Sequence, residues 1–327
     1  MVVNNPVLVK PVRVVETQSG EAPKRWLDEI DAYELQDQRA EELSYLPLLG
    51  RPGYIVQRWS HVLAGYPRSG KTELLFATVC AWLQEGRSVL YFTEEGRVLW
   101  QQRLERQRVP CGGLTLVFGL GELPGNLLAR MREGEEEIVI VDTLRNLGIL
   151  PPDENDNNGI ARAVAPWVAT AREKGKTLIL CHHSRKGGGD HGEAISGGHA
   201  LFGAVDVAVE VRRDNVPARR ILKVHARIIQ PPDLLYERKA DGQLIALGDP
   251  AGVGVEEVAR RMLTVLDHQW RKTADVLTLF EEPKPSLEQL RLALRAESQC
   301  GRVERDPPIN VASAQGKAIR WRLPGEG

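Results

Sequence analysis

The chain has 327 residues, with 43 Lys and Arg against 44 Asp and Glu and a net charge of −1. That length suits one large or two modest domains, and the balanced charge excludes a basic field spread over the whole surface, so any nucleic-acid contact must be local. Cys80, Cys111, Cys181 and Cys300 form no C-x-x-C pair, no apolar run approaches the roughly 18 residues of a membrane helix, and residues 1–5 lack a signal pattern. A reduced, cytoplasmic protein with no membrane partner is expected.

Residues 1–50 read as an N-terminal extension, an extended Val/Pro-rich stretch followed by a helical pattern through Trp26, Leu27, Ile30, Tyr33, Leu35 and Leu43. An oligomerisation arm and a helix covering a sheet edge are both open readings of it. Residues 51–249 alternate apolar runs at 87–92, 114–118, 138–141 and 177–180 with helical segments, which predicts a parallel sheet buried on both faces. Runs at 205–211, 221–224 and 234–236 predict antiparallel strands appended to one edge. Residues 250–327 open on a turn and predict helices over 255–266, 273–280 and 286–298, then strands at 302–305 and 318–323, the outline of a small winged helix. The fold class expected is α/β, a mostly parallel sheet with antiparallel edge strands plus this α+β module.

Residues 65–72, Gly-Tyr-Pro-Arg-Ser-Gly-Lys-Thr, complete the GxxxxGK[ST] pattern between an apolar strand at 59–64 and an apolar helix at 73–83. Backbone N–H groups of such a loop and the positive end of the following helix cradle a di- or triphosphate. Lys71 reaches the β/γ-phosphates and the Thr72 hydroxyl ligates Mg²⁺. The expected nucleotide contacts are Gly65, Pro67, Arg68, Ser69, Gly70, Lys71, Thr72 and the adjoining Glu73, with ATP and Mg²⁺ as cofactors.

Three further strand ends carry polar groups toward the same rim of the sheet. The run 137–142 ends in Asp142, placed to hold Mg²⁺ with Thr72. Thr143 follows it, so the water-activating carboxylate is sought at Glu94 and Glu95, after the strand at 89–93. Adjacent side chains of an extended segment point opposite ways, so one of the two is expected to face the nucleotide. His182 closes the fourth run and can hydrogen-bond the γ-phosphate. His182, His183, His191, His199 and His225 lack compact ligand spacing, which argues against zinc.

This order of motifs over about 54–240 resembles the RecA-like ATPases, in the broad sense AAA-type, and within them the RepA-like group related to hexameric replicative helicases. The resemblance implies that Glu95 rather than Glu94 is the catalytic glutamate, that Asp142 holds the metal and that His182 is the phosphate sensor. It also implies a basic finger reaching into a neighbour's site, placing Arg227 there, while His225 stands where the group carries lysine. Arg212, Arg213 and Lys223 are the substitutes. A homo-oligomer, a hexamer in that group, and single-stranded DNA as partner follow from the same likeness. The DNA-gripping loop falls on 185–199, with Arg185, Lys186, His191, His199 and many glycines but no aromatic to stack a base. A surface loop closing over nucleotide is the alternative.

In the C-terminal module Arg291, Arg295, Arg302, Arg305, Lys317, Arg320 and Arg322 are expected to present a face to DNA phosphates, although winged helices also dock proteins. The function expected is a Mg-ATP-dependent ATPase acting as a DNA helicase-like motor in replication or repair. An ATP-switched DNA-binding or recruitment protein and a RecA-like regulatory ATPase are the alternatives.

Overall fold

The computed structural model describes residues 30–37, 42–107, 112–153, 156–183, 198–227, 230–308 and 319–325. The chain divides into units 1–42 and 43–327. The first contains helix α1 (Ala32–Asp37), at whose start Asp31 Oδ1 accepts from Tyr33 N at 2.8 Å.

The second unit opens with an antiparallel hairpin of β1 (Tyr45–Leu48) and β2 (Arg51–Val56). Leu49 and Gly50, at φ 49° and 73°, both take the left-handed backbone that a two-residue hairpin loop demands. The hairpin therefore straddles position 50, where the extension was expected to end. Leu46 and Leu48 are buried, and Trp82 Nε1 donates to Pro47 O at 2.8 Å.

Next come β3 (Ser60–Gly65), α2 (Lys71–Gln84), β4 (Val89–Thr93), α3 (Arg97–Gln107), β5 (Leu114–Phe118) and α4 (Pro124–Glu133). They are followed by β6 (Ile138–Asp142), α5 (Asn157–Glu173), β7 (Thr177–His183), α6 (Gly198–Ala204), β8 (Val207–Arg213), β9 (Arg219–Ala226), β10 (Leu234–Arg238) and β11 (Leu244–Gly248). Nine of these strands form one sheet in the order β11-β10-β9-β8-β3-β7-β6-β4-β5. Strands β3 to β8 run parallel, and β9, β10 and β11 add antiparallel to one edge, as expected except that β8 belongs to the parallel part.

Strand parity sorts the core. Leu63, Tyr91, Ile140, Ile179 and Cys181 face α2 and α3, whereas Val62, Phe92, Val141, Leu178 and Leu180 face the α5 side. On the first face Trp100 stacks edge-on against Tyr91 at 4.8 Å and Phe76 at 5.4 Å; on the second Phe92 meets Trp167 at 5.9 Å. Each fully buried aliphatic side chain adds about 1.5–3 kcal/mol, so two covered faces hold the sheet rigid beneath the loops on its C-terminal rim.

Beyond β11 lie α7 (Pro250–Val265), β12 (Arg271–Lys272), α8 (Thr273–Thr278), α9 (Leu287–Gln299), β13 (Glu304–Asp306) and β14 (Arg320–Arg322). Asp249 and Ser286 cap α7 and α9 by accepting from Gly252 N and Gln289 N. The three strands pair in the order β12-β14-β13 over a separate apolar cluster that includes Met262, Phe280, Leu294 and Trp321. Arg219 of β9 bonds both Glu237 of β10 and Glu257 of α7, tying this module to the sheet.

Candidate active site

The phosphate loop leaves the C-terminal end of β3. A Cβ on Gly65 would lie 2.9 Å from Ser69 Oγ and 3.0 Å from Val211 O, so only glycine lets the loop fold back on its strand. Arg68 and Gly70 take left-handed backbone, at φ 61° and 94°, and Ser69 N donates to Tyr66 O at 3.0 Å to close the bend. From β9, Arg220 Nε donates to Ser69 O at 3.2 Å and braces the loop from outside.

The buried Lys71 Nζ donates to Gly65 O at 2.9 Å and Tyr66 O at 3.2 Å, and lies 3.2 Å from His183 Nδ1. Burial lowers the lysine pKa, opposed by the nearby Cys181, Asp142 and Glu94. Burial and the adjacent Lys71 also hold His183 below its ordinary value. A neutral ring that accepts from Lys71 at Nδ1 carries its proton on Nε2.

Asp142 ends β6 and is buried. Its Oδ2 accepts from Thr72 Oγ1 and from the Tyr91 hydroxyl, both at 2.7 Å. Burial raises the Asp142 pKa, while those two hydrogen bonds pull it back down. The phenol of Tyr91 is pushed well up by burial and by Asp142, so it stays protonated and donating. Thr72 and Asp142 give an all-oxygen pair suited to Mg²⁺, which takes one or two protein oxygens and completes its shell with phosphates and water. Among the described residues no group of three His, Cys, Asp or Glu could hold a metal by itself.

Glu94 and Glu95 both line the cavity over the loop, about 440 Å³ in volume, with Arg103, Thr143, His183 and Arg238. Glu94 Oε2 accepts from Thr143 Oγ1 at 2.7 Å and Thr143 N at 3.2 Å, on the residue that follows Asp142. Glu95 turns to α3, where Arg103 Nη1 and Nη2 each donate to one of its carboxylate oxygens. Glu73, expected among the nucleotide contacts, accepts from Arg103 Nε at 3.0 Å. A second cavity of about 700 Å³ adjoins the first, sharing Arg68, Gly70 and Arg238 and adding Arg220, Tyr236 and Lys239.

His182, expected at the phosphates, has the parity of Leu178 and Leu180 and lies buried on the opposite face; His183, with the parity of Ile179 and Cys181, meets Lys71. Arg227 follows the end of β9 beside Val207, whereas Gly65 lies level with Val211 and Leu222. It is thus at the far end of the strands from this chain's own cavity, and it donates to Gly203 O at 3.0 Å. Residues 184–197 lie outside the described residues, and the 185–199 loop with them except for the backbone of 198 and 199. Arg103 escaped sequence reasoning entirely. Its signal was a cation beside Leu104, three residues after Trp100, on the buried stripe of α3.

A glycine-bounded loop, its lysine and a hydroxyl–carboxylate pair define a P-loop nucleotide-binding protein. Residues 27–189 match the AAA domain family. The DNA repair protein RadA of Mycobacterium tuberculosis, in strains CDC 1551 / Oshkosh and ATCC 25618 / H37Rv, is 28% identical over 246 residues, covering 71% of this chain and 49% of that protein. RadA of Mycolicibacterium smegmatis is 24% identical over 204 residues, 60% of this chain and 42% of the relative. The chain therefore spans about half the length of these relatives. Among solved structures, a DnaB-like replicative helicase described with its primase interactions aligns at TM-score 0.49 and 13% identity, over 59% of this chain and 58% of that one. A KaiC-like protein from Pyrococcus horikoshii OT3 aligns at TM-score 0.47 and 13% identity, over 63% of this chain and 99% of that one. Over residues 27–189 the chain is thus similar to the AAA domain family, and its phosphate loop at 65–72 lies within that span. Among the described residues no helix is long and apolar enough to cross a membrane.

Proposed function

We propose that the protein is a Mg-ATP-dependent ATPase that couples hydrolysis to work on DNA, as a helicase-like motor in repair or replication. The observation that supports this most is the 2.7 Å contact of Thr72 with Asp142, set beside Lys71 and Glu94 on one cavity. When bound, Mg²⁺ supplies charge neutralisation to the transferring phosphoryl group. Lys71 exchanges loop carbonyls for phosphate oxygens, and Thr72 and Asp142 would hold the ion. Glu94, fixed by Thr143, takes the proton of the attacking water, the role the resemblance gave to Glu95. His183 rather than His182 senses the phosphate, through its Nε2–H.

Arg227 completes the site of a neighbouring copy in a homo-oligomer, a hexamer by the same likeness, and the 185–199 segment meets single-stranded DNA. The relatives named for DNA repair support the DNA side of this reading. ATP turnover with and without single-stranded DNA, run with a strand-separation assay and a mass measurement, tests it. Turnover raised by DNA together with unwinding supports the motor. Turnover indifferent to DNA, without unwinding, overturns it.

A second reading, an ATP-switched recruitment protein, is favoured by one observation in the C-terminal module. Arg302, Arg320 and Arg322, expected to meet DNA phosphates, are each bonded to an acid, Glu297, Asp306 and Glu304. Taken as a winged helix, the module is then a protein-docking device.

A further inference from the structure

Four carboxylates, Glu73, Glu94, Glu95 and Asp142, line a cavity whose loop is shaped for a polyanion. Two of them share one cation. The Arg103 side chain is 9% exposed, donates to both oxygens of Glu95 and to Glu73 Oε1, and lies over the Trp100 ring at 5.2 Å. Trp100 in turn donates from Nε1 to Thr93 Oγ1 at 2.9 Å, which also accepts from Glu95 N at 3.1 Å.

Glu73 belongs to the first turn of α2 and Glu95 to the segment after β4, so one guanidinium spans the two elements that bound the cavity. Arg106 reaches Glu73 only at 3.7 Å and stands further into solvent. A planar fork with five donors can serve three carboxylate oxygens at once, whereas an ammonium cannot hold the same geometry. Without this cation, two unbalanced carboxylates would face the incoming phosphates across a partly desolvated space, where like charges repel far more strongly than in water.

We propose that Arg103 is a positioning residue of the ATPase site: it offsets half of the negative charge that Glu73 and Glu95 bring, so that the nucleotide's phosphates can enter, and it fixes the first turn of α2 against the end of β4. This rests on the ATP-binding reading above. Arg103 acts through the two glutamates and not by touching the nucleotide.

Calorimetric titration with Mg-ATP tests it on the full chain, comparing wild type, Arg103→Ala, Arg103→Lys and the triple variant Arg103→Ala/Glu73→Gln/Glu95→Gln. Arg103→Ala is expected to weaken binding about 10- to 100-fold, with Arg103→Lys intermediate. Removing the two uncompensated charges in the triple variant returns affinity to within about threefold of wild type, a recovery that a purely structural arginine would not show. Wild-type affinity in Arg103→Ala overturns the inference, as does a folded triple variant that binds as weakly as Arg103→Ala. If Arg103→Ala does not fold, Arg103→Lys against Arg103→Lys/Glu73→Gln carries the same comparison: a gain in the double variant supports the inference and no gain overturns it. Absence of saturation in the wild type overturns the ATP reading and this inference with it, whereas a saturating wild type with an unaffected Arg103→Ala overturns this inference alone.

Discussion

Arginines are paired with acids in two regions of this molecule, and the surroundings decide what the pairing does. Beside the phosphate loop, Arg103 is 9% exposed, stacked on a buried tryptophan and shared by two glutamates. In the C-terminal module, Arg302, Arg320 and Arg322 are 62%, 48% and 33% exposed, and each serves one acid. Exposed pairs contribute about 0–1 kcal/mol each, because water already solvates both partners. Arg103 instead is nearly buried against partly exposed Glu73 and Glu95, so the guanidinium has little water to turn to and is held in place by its partners. The same residue type thus bridges two elements beside the phosphate loop in one place and balances surface charge in the other.

The largest effect expected within this contrast belongs to the rim. Glu94→Gln should keep Mg-ATP binding while lowering turnover by about 10² to 10⁴, with Glu95→Gln losing less than about tenfold. Steady-state kinetics on the two variants decides it, and the reverse ranking would return the base to Glu95. Next, Trp100→Ala removes the platform beneath Arg103 together with its stacking on Phe76 and Tyr91, a loss of about 3–5 kcal/mol in denaturant unfolding. A loss below about 1 kcal/mol would mean that the rim does not depend on this packing.

Acid should separate the two regions. His61 is fully buried in β3, accepts from Val56 N at Nε2, and has its pKa lowered by burial to about 4 from 6.5. The unfolded chain therefore takes up a proton that the folded sheet refuses, so stability is complete above about pH 6.5 and falls as the pH drops toward 4. At pH 5 the loss is about 2 kcal/mol. Thermal melts at pH 7.5 and 5 should show it, and His61→Gln should flatten the dependence; an unchanged slope in that variant would contradict the assignment. The smallest effect lies in the module, where Arg320→Ala should shift unfolding by no more than about 1 kcal/mol. A shift above 2 kcal/mol would erase the contrast between the regions.

The parallel sheet was legible because its strands are unbroken Val/Ile/Leu runs, a pattern that only burial on both faces requires. The phosphate loop, Lys71, Thr72 and Asp142 were legible because their chemistry fixes residue type and spacing together. Strand β1 was hidden by its brevity, and the turn at Leu49 and Gly50 that joins it to β2 put a non-glycine residue in left-handed backbone. That Glu94 pairs with Thr143 and Glu95 with Arg103 was not legible, because these pairings are set by packing and, for Thr143, by a partner distant in sequence. That His183 rather than His182 meets Lys71 was available in principle, since the alternation from Ile179 through Cys181 points His183 toward α2. Arg103 was visible only as a charge on an apolar stripe, which by sequence alone reads as an ordinary exposed helical arginine.

Calorimetric titration of the wild-type chain and of Lys71→Ala with Mg-ATP tests the central claim most directly. Saturable heat in the wild type and none in Lys71→Ala at the same concentrations is the predicted result. Equal heats in both chains, or none in the wild type, would contradict the assignment of this cavity to ATP.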